Sequence, residues 1–149
     1  MNSLTILGLE LRKLNIFKDE RGAVMQFFKK NTFKLKECSE VYFSVTNEGI
    51  VKGWKYHKKI WQHLSVINGA IELVVFDNRE NSETKGHINR LVLDDGERYC
   101  LLIMPPGLWY SFKGLGSKDS IIANVITAEH SPEESITVPL NDLAMPQCW

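Results

Sequence analysis

Residues 52–59 read KGWKYHKK, and two of them, Lys55 and His57, carry groups that can hold or release a proton near neutral pH. An imidazole does so unaided, with an ordinary pKa of about 6.5. A lysine amine, ordinarily at about 10.4, does so only when burial or neighbouring cations such as Lys52 and Lys58 disfavour its charged form. Left in water, Lys55 would act instead as a fixed positive charge. The two residues stand two apart, so in a strand their side chains point to the same face. That face is either one wall of a site or a solvated edge. Farther along, Tyr110 in LWYSFKG offers a phenol, as acid, hydrogen-bond donor or packing buttress. Arg79 beside Asp77 suits both a strand-end ion pair and the grip that a planar guanidinium has on a diphosphate. Trp54 and Tyr56 suit core packing, and His87 and His130 sit in polar contexts that default to the surface.

These residues are carried by short apolar runs of Val, Ile, Phe and Tyr bounded by Gly, Asn, Asp or Pro, the pattern of strands. Strands are predicted at 40–46, 50–57, 61–67, 70–77, 88–93, 99–104, 108–114 and 121–128. Turn signals separate them, the sharpest being Asn68-Gly69, which predicts a type I′ hairpin. Ser131-Pro132-Glu133-Glu134 is the one candidate for a capped helical turn. Short strands at this spacing predict an all-β fold, with a jelly-roll barrel preferred. No repeat, low-complexity tract or linker interrupts the 149 residues, which predicts a single domain over 1–149.

The global balance excludes several function classes. Eighteen basic and eighteen acidic residues cancel, so the footprint of a nucleic-acid or anionic-membrane binder is missing. Cys38, Cys100 and Cys148 form no CxxC pair, which argues against a disulfide framework or a thiolate zinc site and for a reducing, cytoplasmic setting. The segment MNSLTILGLELRKLN has only a short apolar run, and no stretch reaches the about 18 apolar residues of a membrane span.

An ordered series of motifs then becomes visible: Asp19-Glu20-Arg21-Gly22, Lys52-Gly53-Trp54, Asp77-x-Arg79-x-x-Ser82-x-Thr84-x-Gly86, and Pro105-Pro106-Gly107 with Phe112. Together, over roughly residues 15–142, they resemble the dTDP-4-dehydrorhamnose 3,5-epimerase family of cupins. The resemblance implies a cupin jelly roll, homodimers formed through N-terminal strands, and metal-free action on nucleotide-linked 4-keto-6-deoxy sugars. Departures accompany it: Lys55 stands where the family carries a His base, Asn124 where it carries a Tyr acid, and Tyr110 where it carries a His. KGWKYHK followed by Gln62 is also similar to the RGxHxHK segment and later Gln of the sugar 3,4-ketoisomerases, with His57 as the second His. The later His after a Trp in that group is matched by Trp109-Tyr110.

Both groups need a base to remove a proton α to a ketone and donors to stabilise the enolate. The resemblance therefore implies His57, Lys55 and Tyr110 as catalytic residues, and Arg21, Lys52, Gln62, Arg79, Trp109 and Asn124 as substrate contacts. Gln62 and His63 alternate faces; the motif favours Gln62 for the interior and leaves His63 structural. No cofactor is expected, and no metal, because the cupin H-x-H pair is reduced to Lys55-x-His57 and a protonated amine is no ligand. His57, His63 and Glu72 would be the remaining metal set. Two functions follow: an epimerase or isomerase of a nucleotide-linked 4-keto-6-deoxy sugar in deoxysugar or surface polysaccharide biosynthesis, or a catalytically silent cupin that binds a nucleotide sugar or a partner.

Overall fold

A computed structural model describes residues 4–29 and 38–149. The start of the MNSLTILGL segment, residues 1–3, lies outside the described residues, as do residues 30–37. The described residues form strands β1 Glu10–Lys13, β2 Ile16–Asp19, β3 Gly22–Met25, β4 Glu40–Thr46, β5 Val51–His57, β6 Gln62–Asn68, β7 Ala70–Asp77, β8 Ile88–Asp94, β9 Cys100–Met104, β10 Leu108–Leu115, β11 Ser120–Ile126 and β12 Ser135–Thr137. All eight predicted strands are present with ends shifted by at most two residues. The four others, ELRK, IFKD, GAVM and SIT, are too short and mixed in polarity to show a period.

Two five-stranded sheets, ordered β1-β9-β6-β11-β4 and β12-β5-β10-β7-β8, face each other as an all-β cupin jelly roll, and β2-β3 forms a separate hairpin around Glu20-Arg21. Strand alternation sends Leu64, Val66, Leu102, Met104 and Ile122 from the first sheet and Ile71, Leu73, Val75, Leu91, Leu93 and Leu108 from the second into one apolar cluster. Each such side chain contributes about 1.5–3 kcal/mol when fully buried. On β4 and β5 the inner positions change character, to Tyr42, Ser44, Lys55 and His57. A cavity opens where aliphatic filling stops.

Two turns differ from expectation. Asn68-Gly69 closes no hairpin, because β6 and β7 belong to different sheets, and only Gly69 has a positive φ, of 80°. It is a corner at which the chain crosses between sheets. A side chain at Gly69 would meet the Ser120 hydroxyl at 2.7 Å, and the Gly69 N–H donates to Asp95 Oδ2 at 2.9 Å. Ser131–Glu134 is a single turn, closed by the Glu134 N–H to Ser131 O at 3.1 Å, and it leads into β12 instead of a helix.

The D-x-R-x-x-S-x-T-x-G motif is a polar knot at the end of β7. The fully buried Asp77 carboxylate accepts from Arg79 Nη2 and Nε at 2.8 and 2.9 Å, Ser82 Oγ at 2.6 Å and Thr84 Oγ1 at 2.7 Å. Burial pushes the carboxyl up, but these donors outweigh it and hold it well below the usual carboxylate range. A carboxyl depressed in the folded state stabilises the fold above its unfolded pKa, and that contribution is lost as pH falls below about 4. Asp77→Asn is therefore expected to lower the unfolding free energy at pH 7 by about 2–3 kcal/mol, read by urea denaturation, and to flatten the loss of stability between neutral and acid pH.

Candidate active site

The interior cavity has a volume of about 270 Å³ and takes its walls from facing sheets: Tyr42 and Ser44 on β4, Lys52, Gly53 and Lys55 on β5, Tyr110 and Phe112 on β10, and Thr137 on β12. A larger depression of about 410 Å³, lined by Leu11, Arg90, Leu93 and Cys100 among others, holds an Arg90–Glu72 ion pair at 2.7 Å. Its Cys100 thiol is pushed up to about 11 by burial. The smaller cavity instead gathers two phenols and a half-buried amine, which makes it the candidate site.

A bulge shapes its cationic wall. Tyr110 pairs with Lys55 and Ser111 with Gly53, which leaves Trp54 without a partner on β10; beyond it, Phe112 pairs with Lys52. Lys52 and Lys55 are three apart, and unbroken alternation would send them to opposite faces. The extra residue resets the parity, so both line the cavity. Only glycine fits at position 53: its φ is 122°, and a Cβ would lie 2.7 Å from that of Ser111. Trp54 turns outward and is fully buried in a second cluster with Val74 and Met145.

Lys55 is half-buried, and burial lowers its pKa from the ordinary lysine value. Lys52 acts in the same direction, and the Glu134 carboxylate opposes it. His57, two residues on, does point inward, yet it is only 1% exposed and does not line the cavity. Its Nδ1 lies 2.6 Å from Glu134 Oε2, and its Nε2 is 3.4 Å from the Tyr110 hydroxyl. Burial lowers the imidazole pKa against the pull of Glu134. Glu134 Oε1 also accepts from the Lys59 and Ile60 N–H groups at 2.9 and 3.0 Å, and these bonds with His57 outweigh burial and hold the carboxyl below its usual range. The imidazole is therefore neutral, with its proton on Nδ1 facing the carboxylate.

Opposite stands an amide pair. Asn124 Oδ1 accepts from the His63 N–H at 3.1 Å, which directs Nδ2 to Gln62 Oε1 at 3.1 Å and to the Tyr42 hydroxyl at 2.7 Å. With its oxygen so occupied, the Gln62 amide presents its N–H side to Tyr110 and lowers that phenol's pKa; burial dominates and pushes it up. Burial also raises the Tyr42 pKa.

Of the residues proposed from sequence, Lys55, Tyr110 and Lys52 meet in the cavity, and Gln62, Asn124 and His57 lie directly behind its walls. Three do not join them. Trp109 alternates with Tyr110 and packs on the outer face against Tyr56, with ring centroids 5.0 Å apart. Arg79 is held by Asp77 and by Leu7 O at 2.8 Å. Arg21 pairs with Asp19 on the exposed β2-β3 hairpin. The alternative metal set does not converge: His63 faces Val125 O at 3.1 Å, and Glu72 reaches Arg90 on the outer side of β7. Sequence reasoning missed Tyr42 and Glu134. Alternation in EVYFSVT, with Tyr42 and Ser44 on one face and Val41, Phe43 and Val45 on the other, was a signal for Tyr42. Nothing local ties Glu134 to a histidine 77 residues away.

The chain matches the family model described as dTDP-4-dehydrorhamnose 3,5-epimerase over residues 3–149. It is 28% identical over 131 residues to a probable low-salt glycan biosynthesis epimerase of Haloferax volcanii, covering 87% of this chain and 83% of that protein. It is 31% identical over 134 residues to a dTDP-4-dehydrorhamnose 3,5-epimerase of Methanothermobacter thermautotrophicus, covering 85% and 71%. Its fold matches the crystal structure of a dTDP sugar isomerase from Desulfovibrio desulfuricans with a TM-score of 0.88 and 31% identity over 91% of this chain and 87% of that one. An interior cavity between two cupin sheets, the ordered motifs and these matches have one common explanation: the chain belongs to the dTDP-4-dehydrorhamnose 3,5-epimerase family.

Proposed function

We propose that the chain is a metal-free epimerase or isomerase of a nucleotide-linked 4-keto-6-deoxy sugar, serving deoxysugar or surface polysaccharide biosynthesis. The observation that carries this reading is a half-buried amine, Lys55, placed among phenols in the interior cavity of an epimerase-family fold. Lys55 removes the proton α to the ketone. A desolvated amine of lowered pKa has the proton affinity this step needs, and its charged form then faces the enolate it creates. Lys52, exposed at the cavity mouth with its Nζ 3.0 Å from Val45 O, meets the diphosphate. His57 acts through Tyr110 and Glu134, because its burial keeps it from the substrate. It is a positioning residue in place of the base expected from sequence. Gln62 and Asn124 likewise orient groups that touch the sugar.

The active form is a homodimer in the cytoplasm. Three free cysteines suit a reducing compartment. On β4, an edge strand whose inner face is polar, the outer positions Val41, Phe43 and Val45 are 51%, 62% and 49% exposed, and the unattached hairpin exposes Phe17 and Val24. A second copy would cover these apolar surfaces and bring the Arg21 hairpin towards a neighbouring site.

Two measurements test this reading. In D₂O with a dTDP-linked 4-keto-6-deoxyglucose, the protein is expected to wash deuterium into the carbon next to the ketone. Lys55→Met should slow this by about 10²–10⁴-fold and abolish the rise of rate with pH that deprotonation of the amine produces. A native chain that binds the nucleotide sugar but exchanges no proton is instead the silent cupin. Sedimentation at micromolar concentration should give twice 17.1 kDa, and Phe43→Asp should shift the species to the monomer; a 17.1 kDa native chain would refute the dimer.

A further inference from the structure

Two phenols line the cavity, and hydrogen-bond direction makes them unequal. The Glu134 carboxylate can only accept, so the neutral His57 carries its proton on Nδ1 and presents Nε2 as an acceptor. Tyr110, 5% exposed and facing that nitrogen at 3.4 Å, spends its O–H on His57. The Gln62 amide donates to the same oxygen. The Tyr110 proton therefore points behind the wall. Tyr42 has the opposite arrangement. Its oxygen accepts from Asn124 Nδ2 at 2.7 Å, and among the described residues its O–H meets no protein acceptor. The Asn124 amide cannot turn over to accept instead, because its oxygen is fixed by the His63 N–H at 3.1 Å. One cavity phenol has its proton free to enter the cavity, and it stands on β4, in the sheet facing the Lys55 strand.

We propose that Tyr42 is a catalytic residue, the general acid that protonates the substrate carbon from the wall opposite Lys55. The inference rests on the epimerase reading above. Lys55 takes the C–H proton as the C–H electron pair moves into the enolate. The enolate carbon then takes the Tyr42 O–H proton on its other face, leaving a phenolate that solvent reprotonates, and the Lys55 ammonium returns its proton to solvent. Configuration inverts and no proton is gained or lost overall. The Asn124 N–H, donating to the Tyr42 oxygen, stabilises the phenolate formed on the way. Without Tyr42, Lys55 can only return a proton to the face it came from.

The test compares the native chain with Tyr42→Phe in D₂O, using a dTDP-linked 4-keto-6-deoxyglucose and scoring by NMR both deuterium at the carbon next to the ketone and its configuration. The expected result is that Tyr42→Phe keeps deuterium wash-in with retained configuration within about threefold of the native rate, while inverted product falls by about 10²–10³-fold. 3-Fluorotyrosine at position 42 preserves the side chain's shape and lowers the phenol pKa, and it should move the high-pH limb of inversion to lower pH. Inversion at the native rate in Tyr42→Phe overturns the proposal, as does a fluorotyrosine profile that does not move. So does an equal loss of exchange and inversion in Tyr42→Phe. A native chain that exchanges no deuterium overturns the epimerase reading itself, and this inference with it.

Discussion

The 2.6 Å contact between Glu134 Oε2 and His57 Nδ1 sets the direction of hydrogen bonding along one side of the interior. A buried polar group without a partner costs about 1–3 kcal/mol, so the chain cannot leave several of them between two apolar sheets at random. Along this side they are matched donor to acceptor. Starting from an acceptor that cannot donate, the assignment passes through the imidazole to Tyr110 and the Gln62 amide. It meets Asn124, whose own direction is set independently by the His63 backbone. Two fixed ends, one carboxylate and one main-chain N–H, leave a single consistent arrangement of the side chains between them. That is how a 149-residue jelly roll presents groups of defined proton content to its cavity.

The position of the cavity follows from the same accounting of faces. Along β7, β8 and β9 the inner residues are aliphatic and interdigitate to full packing. On β4 the pattern is inverted, with phenol and hydroxyl inward and Val41, Phe43 and Val45 outward. A strand turned this way gains little by packing within its own chain. It is tolerated at an edge, where it opens space inside and leaves apolar surface outside. The polar cavity wall and the exposed apolar surface are two faces of one strand.

Strand positions were legible because the runs of β-branched and aromatic residues are bounded by turn formers, and the pairing of Lys55 with His57 on one face followed from parity alone. What parity could not supply was depth. His57 and Lys55 point the same way, but the Glu134 turn folds over the end of β5 and seals the imidazole in while the amine stays open to the cavity. Nor could it supply the bulge at Gly53-Trp54, which brings Lys52 round beside Lys55. Trp109 packs on the outer face for the reason that Tyr110 lines the cavity: neighbours in a strand face opposite ways. Asn68-Gly69 has the composition of a hairpin turn, but a corner between sheets asks the same of its glycine, and only the long-range pairing of β6 with β11 and of β7 with β10 separates the two.

On the proposed reading, in which Lys55 takes the place of a histidine base, the surroundings have more to do. An imidazole titrates near neutrality in water, and its site needs only to orient it. An amine must be brought down from its ordinary value, and a partner carboxylate at contact distance would oppose that by holding the proton in place. In this chain the carboxylate is bonded to His57 and two backbone N–H groups and acts on Lys55 through its charge, which burial, the largest effect, and Lys52 oppose. Retaining His57 with its Glu134 partner thus does more than fill space. It engages a carboxylate whose charge raises the Lys55 pKa, so that burial remains the larger effect on the amine.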